Sequence, residues 1–131
     1  MSNELEVLAV TCGVTSLMWL PYVLARIKIV GLMALLLYRS DDVTLPAWAM
    51  RAKRAHNNTI ENLVPFAGLV IVAHLLNVTN DATYAAAVSY LGFRVAHYVV
   101  FVFGVPVVRT LTFAGCWLAQ LCLLFQILIT V

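Results

Sequence analysis

The sequence is poor in charge and in the features of nucleic-acid-binding proteins. Only 11% of its 131 residues are charged, against about a quarter in ordinary soluble domains, while 63% are apolar. A soluble domain of this length cannot bury that much apolar surface, so membrane lipids must cover much of it. The net charge of only +2 and the lack of a basic tail exclude a typical nucleic-acid-binding protein.

Motifs of metal, redox and nucleotide sites are also missing. The three cysteines, Cys12, Cys116 and Cys122, lie in apolar stretches without a CxxC or cysteine–histidine spacing, so we interpret them as small core side chains. The chain has no P-loop, GxGxxG or GxSxG segment. Its three histidines are not spaced as ligands, so no metal is predicted. His56 is expected to be solvated at the membrane surface.

Four apolar stretches are long enough to cross a bilayer, because about 20 helical residues span its hydrocarbon core. The predicted spans cover residues 5–25, 58–76, 82–103 and 107–129. A loop over residues 26–57 separates the first two spans, and residues 77–81 form a polar turn. The sequence therefore predicts an all-α integral membrane protein, a four-transmembrane-helix bundle forming one domain over residues 1–131.

Two features of the first span and of the loop predict local structure. Pro21 is expected to kink the last turns of the first helix. Residues 29–38 are apolar but too short to span, so they either continue the first helix or lie at the membrane surface. Residues 39–42 then make a polar break.

Basic residues are concentrated at one end of the predicted bundle. They are Arg26, Lys28, Arg39, Arg51, Lys53, Arg54 and, beyond the third span, Arg109. The N-terminus, residues 77–81 and the C-terminus carry no lysine or arginine. The positive-inside rule then predicts that both termini lie outside and that loop 26–57 is cytoplasmic.

Polar residues share one face of the second span and recur on the third. The face of the second span consists of Arg54, Asn58, Glu61, Asn62 and Pro65. Arg94 lies near the middle of the third span, where an arginine costs at least ~2.5–3.5 kcal/mol and must face protein or water. Two interpretations are open. Arg94 pairs structurally with Glu61, or it converges with other arginines on a cleft for a small anion carrying carboxylates.

These polar faces resemble those of the MAPEG family, the membrane-associated proteins in eicosanoid and glutathione metabolism. The segment RAHNNTIEN (residues 54–62), followed by Pro65, is similar to the family's signature at the opening of the second helix. WLPYVLAR (residues 19–26) resembles the end of the first helix in small bacterial members. The residues similar to the third-helix pattern and the arginine beyond it are Arg94, His97, Phe101 and Arg109.

The resemblance implies a homotrimer of four-helix protomers in the bacterial inner membrane, with sites between protomers near the cytoplasmic face. It implies glutathione as a cosubstrate and a lipophilic small-molecule substrate that arrives from the bilayer. The implied binding residues are Arg26, Arg54, Asn58, Glu61, Asn62, Arg94 and His97. Arg109 is the implied catalytic residue, because a fixed cation near the glutathione thiol favours the nucleophilic thiolate.

The chain departs from the family's transferases at Phe101, where they commonly carry a tyrosine. Phe101 cannot donate a hydrogen bond to glutathione, and Tyr98 is one position away and should point elsewhere. The leading hypothesis is a glutathione-dependent transferase or peroxidase acting on lipophilic electrophiles. One alternative is a non-enzymatic membrane protein that binds a small anion or lipid headgroup, or stabilises a partner. A transporter is the third hypothesis.

Overall fold

The computed structural model describes residues 2–37 and 43–130, and the regular elements within them are helices. These are α1 (Asn3–Leu17), α2 (Leu20–Val30), α3 (Leu32–Leu36), α4 (Ala47–Leu75), α5 (Asp81–Phe103) and α6 (Pro106–Thr130). Four helical stretches in this part of the chain are long and apolar enough to cross a membrane: α1 with α2, then α4, α5 and α6. The predicted all-helical chain with four membrane-length helices is confirmed.

Helix α4 is longer than the sequence predicts. It begins at Ala47 rather than near residue 58, so the predicted loop over residues 26–57 is largely helical. Ala49, Ala52 and Ala55 recur every third residue and are fully buried, which extends the packed face of α4 beyond its apolar stretch. Polar residues on the opposite face lower the local hydropathy without interrupting the helix.

The remainder of the predicted loop contains a sharp break after α2. Gly31 follows Val30 with a φ of 82°, a conformation that glycine adopts without steric cost, and the short helix α3 follows. The first helix therefore continues only as far as Val30. The predicted polar break at residues 39–42, with Arg39, lies outside the described residues.

The first membrane span is interrupted between α1 and α2. Pro21 lies in the first turn of α2, where its missing N–H is tolerated. Pro21 is expected to kink the last turns of the first helix. In the structure the helix is instead interrupted just before Pro21, at Met18 and Trp19. The Tyr98 hydroxyl of α5 donates a hydrogen bond to the Met18 carbonyl oxygen at 3.0 Å. Tyr98 therefore braces this break.

Replacing Tyr98 with phenylalanine should lower the free energy of unfolding by about 1 kcal/mol, because the Met18 carbonyl loses a donor while the ring remains. Thermal unfolding of the detergent-solubilised protein measures this effect. Tyr84→Phe is the control, since Tyr84 is exposed and loss of its hydroxyl should leave the Tm unchanged. Equal Tm values for the wild type and Tyr98→Phe would contradict a bracing role.

The core is centred between α4, α5 and α6. Phe66 stacks on Tyr90 with ring centroids 3.7 Å apart, and both side chains are fully buried, as is Leu123 of α6. Cys116 is buried in the same cluster, as expected. Cys12, in contrast, is exposed on α1, so the prediction of a core side chain is wrong there.

The predicted polar turn at residues 77–81 is present and is fixed by a capping box. The Asn80 side chain accepts hydrogen bonds from the N–H groups of Ala82 and Thr83, and the Thr83 hydroxyl accepts one from the Asn80 N–H. The buried carboxylate of Glu4 accepts a hydrogen bond from the Thr83 hydroxyl at 2.6 Å. It lies at the N-terminus of α5, where the helix dipole favours negative charge. This end of the bundle is the acidic one.

Candidate functional site

A buried polar network joins α4 to α5 in the middle of the bundle. Arg94 is only 1% exposed, and its Nη1 donates a hydrogen bond to Asn58 Oδ1 at 2.9 Å. Asn62 Nδ2 donates to the Asn58 carbonyl oxygen, and the Tyr90 hydroxyl donates to the Asn62 carbonyl oxygen. The Arg94 guanidinium also lies over the Tyr90 ring, 5.3 Å from its centroid. Arg94 is therefore held by amides and an aromatic face.

The predicted ion pair between Arg94 and Glu61 does not form. Glu61 is exposed, and Arg94 Nε and Nη2 are buried without a hydrogen-bond partner among the described residues. Asn58 and Glu61 belong to the same polar face of α4, but only Asn58 is turned far enough toward α5 to reach Arg94. The arginine thus retains an uncompensated positive charge and two free donor groups within the described chain.

A cavity of about 250 Å³ adjoins this network where α4, the end of α5 and the start of α6 meet. Its walls are formed by Asn58, His97, Phe101, Arg109, Thr110 and Phe113. The Arg109 guanidinium lies 4.9 Å from the centroid of the Phe101 ring, and the His97 ring meets Phe101 edge-on at 5.6 Å. The cavity therefore combines a stacked cation, an imidazole and two phenyl rings, with a buried cation behind Asn58.

His97 is fixed by the first turn of α6. Its Nδ1 lies 3.1 Å from the Arg109 carbonyl oxygen and 3.3 Å from the Thr112 hydroxyl. Its Nε2 is buried and has no hydrogen-bond partner within the described residues. The backbone of Arg109 thus orients His97, while the Arg109 side chain faces the same cavity.

A second, more basic cleft of about 430 Å³ opens one turn earlier on α4. It is lined by Arg26, Val43, Thr44, Leu45, Met50, Lys53, Arg54 and Asn57. Arg26 and Arg54 therefore line the same cleft, which does not include Arg109. The adjacent residues Asn57 and Asn58 line different cavities, so the two openings are neighbours along α4 but separate in the single protomer.

A model of the MAPEG family matches residues 6–129, nearly the whole chain. The chain belongs to the MAPEG family. Comparison with curated protein sequences and with solved structures returned no match. The family match and the four membrane-length apolar helices together identify an integral membrane protein.

The eight predicted site residues of this MAPEG chain lie in four different environments. Asn58, His97 and Arg109 line the smaller cavity, and Arg26 and Arg54 line the basic cleft. Arg94 and Asn62 belong to the buried network that supports Asn58. Glu61 lines neither cavity, and it is exposed on α4.

Several residues of this MAPEG site were not predicted from the sequence. Lys53 and Asn57 line the basic cleft, and Thr110 and Phe113 line the smaller cavity. Lys53 and Asn57 lie four residues apart on α4, so extending the helical periodicity upstream of residue 58 would have placed them on one face. The predicted helix started too late along the chain, which also explains why His56 was expected to be solvated. In the structure His56 is buried, and its Nδ1 lies 2.9 Å from the Tyr22 hydroxyl oxygen.

Proposed function

We propose that this MAPEG protein is a glutathione-dependent membrane transferase or peroxidase that acts on lipophilic electrophiles. The observation that carries the proposal is the concentration of basic side chains around two neighbouring cavities. Arg26, Lys53 and Arg54 line one of them, Arg109 lines the other, and Arg94 lies behind it. No acidic residue is among those that the structure describes in either lining. Glutathione carries two carboxylates, which planar guanidinium groups bind well.

The smaller cavity supports the chemical step. A thiolate placed beside the Arg109 guanidinium would be favoured over the thiol, and the thiolate is the nucleophile. The phenyl rings of Phe101 and Phe113 offer apolar surface on the same wall. A lipophilic electrophile entering from the bilayer would therefore meet the sulfur at an apolar boundary.

A homotrimer with sites between protomers is part of this proposal. Helix α4 exposes both large apolar side chains, such as Val64 and Leu75, and the charged Arg54 and Glu61. Charged groups facing lipid are costly, whereas a protein interface or a ligand satisfies them. Packing of α4 against a second protomer would cover this surface and bring the two cavities of neighbouring chains closer together.

The proposed orientation places the site at the cytoplasmic face of a bacterial inner membrane. The end of the bundle with the cavities carries Arg26, Lys53, Arg54 and Arg109, while the opposite end carries Glu4 and Asp81. Basic residues favour the cytoplasmic side. Glutathione, a polar cytosolic thiol, would then enter from water while its partner enters from lipid.

One observation favours a second function, the binding of a small anion or lipid headgroup without catalysis. Phe101 occupies the cavity wall where the family's transferases commonly offer a hydroxyl, and its ring is already covered by the Arg109 guanidinium. A phosphate or carboxylate would still be bound by the arginines of either cavity.

Thermal stabilisation of the detergent-solubilised protein distinguishes the two functions. Glutathione should raise the Tm, with a stabilisation of about 2.7 kcal/mol at a concentration of about 100 Kd, and S-methylglutathione should do the same. Glycerol phosphate serves as the headgroup probe and should have a smaller effect. Arg54→Ala should weaken the glutathione effect, whereas the matched variant Lys28→Ala, at an exposed residue outside both linings, should not.

Two results would decide between glutathione binding and headgroup binding. No stabilisation at millimolar glutathione would rule out the glutathione function. Stabilisation by glycerol phosphate alone would establish the headgroup-binding alternative.

A further inference from the structure

The protonation of His97 is set by its contact with α6. A carbonyl oxygen can only accept a hydrogen bond, so the 3.1 Å contact between Nδ1 and the Arg109 carbonyl oxygen requires the proton on Nδ1. The neighbouring Thr112 hydroxyl already lies 2.9 Å from the same carbonyl oxygen and 3.0 Å from that of Val108, so it has acceptors of its own. In a neutral ring the lone pair therefore resides on Nε2.

The charged groups that the structure describes around this part of the cavity are Arg94 on α5 and Arg109 on α6, and the wall from α4 contributes the uncharged Asn58. A negative charge that forms beside His97 would therefore be stabilised by two guanidinium groups. His97 Nε2 is buried and has no hydrogen-bond partner within the described residues.

The other acceptors in the cavity are much weaker bases than an imidazole nitrogen. Asn58 Oδ1 is an amide oxygen that already accepts the hydrogen bond from Arg94, and the Thr110 hydroxyl, which donates to the Pro106 carbonyl oxygen, can accept a hydrogen bond but is not basic. For a ligand group that carries an acidic proton, His97 Nε2 is therefore the most basic acceptor in the lining. A buried nitrogen lone pair without a donor is itself a cost that such a ligand would remove.

We propose that His97 is the catalytic base that takes the thiol proton of glutathione. The inference rests on the proposed glutathione function and specifies how that site works. The S–H bond breaks, its electron pair remains on sulfur, and the proton forms an N–H bond at Nε2. The thiolate then lies beside the Arg109 guanidinium, and the new positive charge on His97 is balanced by the negative sulfur. No proton leaves the site in this step.

The substitution His97→Asn tests the assignment, because an asparagine amide can still donate to the Arg109 carbonyl oxygen but offers no basic nitrogen. Two quantities are measured at neutral pH as glutathione is added: the far-ultraviolet absorbance of the thiolate, and the protons released, from calorimetry in buffers of different ionisation enthalpy. The wild type should form thiolate with far less than one proton released per thiolate. His97→Asn should bind glutathione, form less thiolate than the wild type and lose about 10²-fold in transferase rate.

His74→Gln is the matched control, because His74 is exposed at the other end of α4 and should behave as the wild type. Two results would overturn the role of His97: release of a full proton per thiolate by the wild type, or unchanged thiolate formation by His97→Asn. The first of these needs no variant, so a folding defect in His97→Asn leaves the test intact. Failure of the wild type to bind glutathione is a different result, and it would refute the glutathione function as well.

Discussion

The Arg94→Met variant is expected to lose stabilisation by glutathione, while its stability without ligand stays within about 1.5 kcal/mol of that of the wild type. Arg94 is 1% exposed, and its Nε and Nη2 have no hydrogen-bond partner within the described residues. An arginine at this depth costs at least ~2.5–3.5 kcal/mol on membrane-insertion scales. Methionine is flexible and similar in length, so it fills the space without a charge.

Two interactions lost with Arg94 offset this gain. The hydrogen bond from the charged guanidinium to Asn58 Oδ1 contributes about 1.5–3 kcal/mol, and the cation over the Tyr90 ring contributes about 0.5–1 kcal/mol. The gain and the losses are of similar size, so the net change is expected to lie within about 1.5 kcal/mol of zero. Under the proposed function, the main effect of the substitution is therefore on the binding of glutathione.

Arg51→Met provides the matched control for the response to glutathione. Arg51 Nε donates a hydrogen bond to the Val102 carbonyl oxygen at 2.8 Å, near the end of α5, so this arginine is satisfied. Its replacement should lower stability by about 1.5–3 kcal/mol, as expected for a hydrogen bond from a charged group, and should leave the response to glutathione in place. Thermal unfolding with and without glutathione measures both variants in one experiment.

A loss of more than about 3 kcal/mol of stability for Arg94→Met in the absence of ligand would contradict this account. A loss of that size is typical of breaking a buried ion pair and would support the structural ion-pair interpretation of Arg94. Unchanged stabilisation by glutathione would separately remove Arg94 from the binding machinery.

The sequence alone was sufficient for the membrane helices but not for where α4 begins. Hydropathy identifies the part of a helix that lies in lipid. Residues 47–57 are too polar to be recognised in this way as part of a membrane helix. The buried alanines at positions 49, 52 and 55 carry the periodicity that continues the helix. Since small residues pack closely without raising hydropathy much, the signal was present but weak.

The sequence indicates which residues of α4 form its polar face. It does not indicate which of these side chains point toward α5. Residues three and four apart share a face that is wide enough to extend from the core to the surface. Asn58 therefore lies at its buried edge and bonds Arg94, while Glu61 is exposed. Which edge is buried depends on the rotation of α4 against α5, and the buried alanines and Phe66 set that rotation. The orientation of His97 likewise depends on a backbone carbonyl of α6, which no sequence pattern reveals.

The Arg109→Ala variant is expected to bind glutathione but to form little thiolate. An opposite charge within about 4–6 Å of an acidic group lowers its pKa by about 1–3 units. An unperturbed thiol with a pKa of about 8.5 is about 3% thiolate at pH 7, so removal of the guanidinium should reduce the thiolate fraction about 8- to 30-fold. The far-ultraviolet absorbance of the thiolate and the rate of transfer to a lipophilic electrophile measure the loss.

This change should leave the fold intact, which makes the result interpretable. The Arg109 side chain is exposed and stacks on Phe101, whereas His97 is held by the Arg109 backbone carbonyl oxygen, which alanine retains. Substitutions at such exposed positions usually alter stability by less than about 0.5 kcal/mol. His97, the proposed proton acceptor, therefore keeps its orientation in this variant, while the guanidinium is gone.

Arg109→Lys separates charge from shape. A lysine keeps the positive charge but not the planar group that stacks on Phe101, so thiolate formation should fall between those of the wild type and Arg109→Ala. If charge beside the sulfur is what matters, the three proteins will rank arginine, lysine, alanine in thiolate fraction while their affinities for S-methylglutathione, which has no thiol proton, stay similar. Equal thiolate fractions in all three proteins would rule out Arg109 as the activating cation.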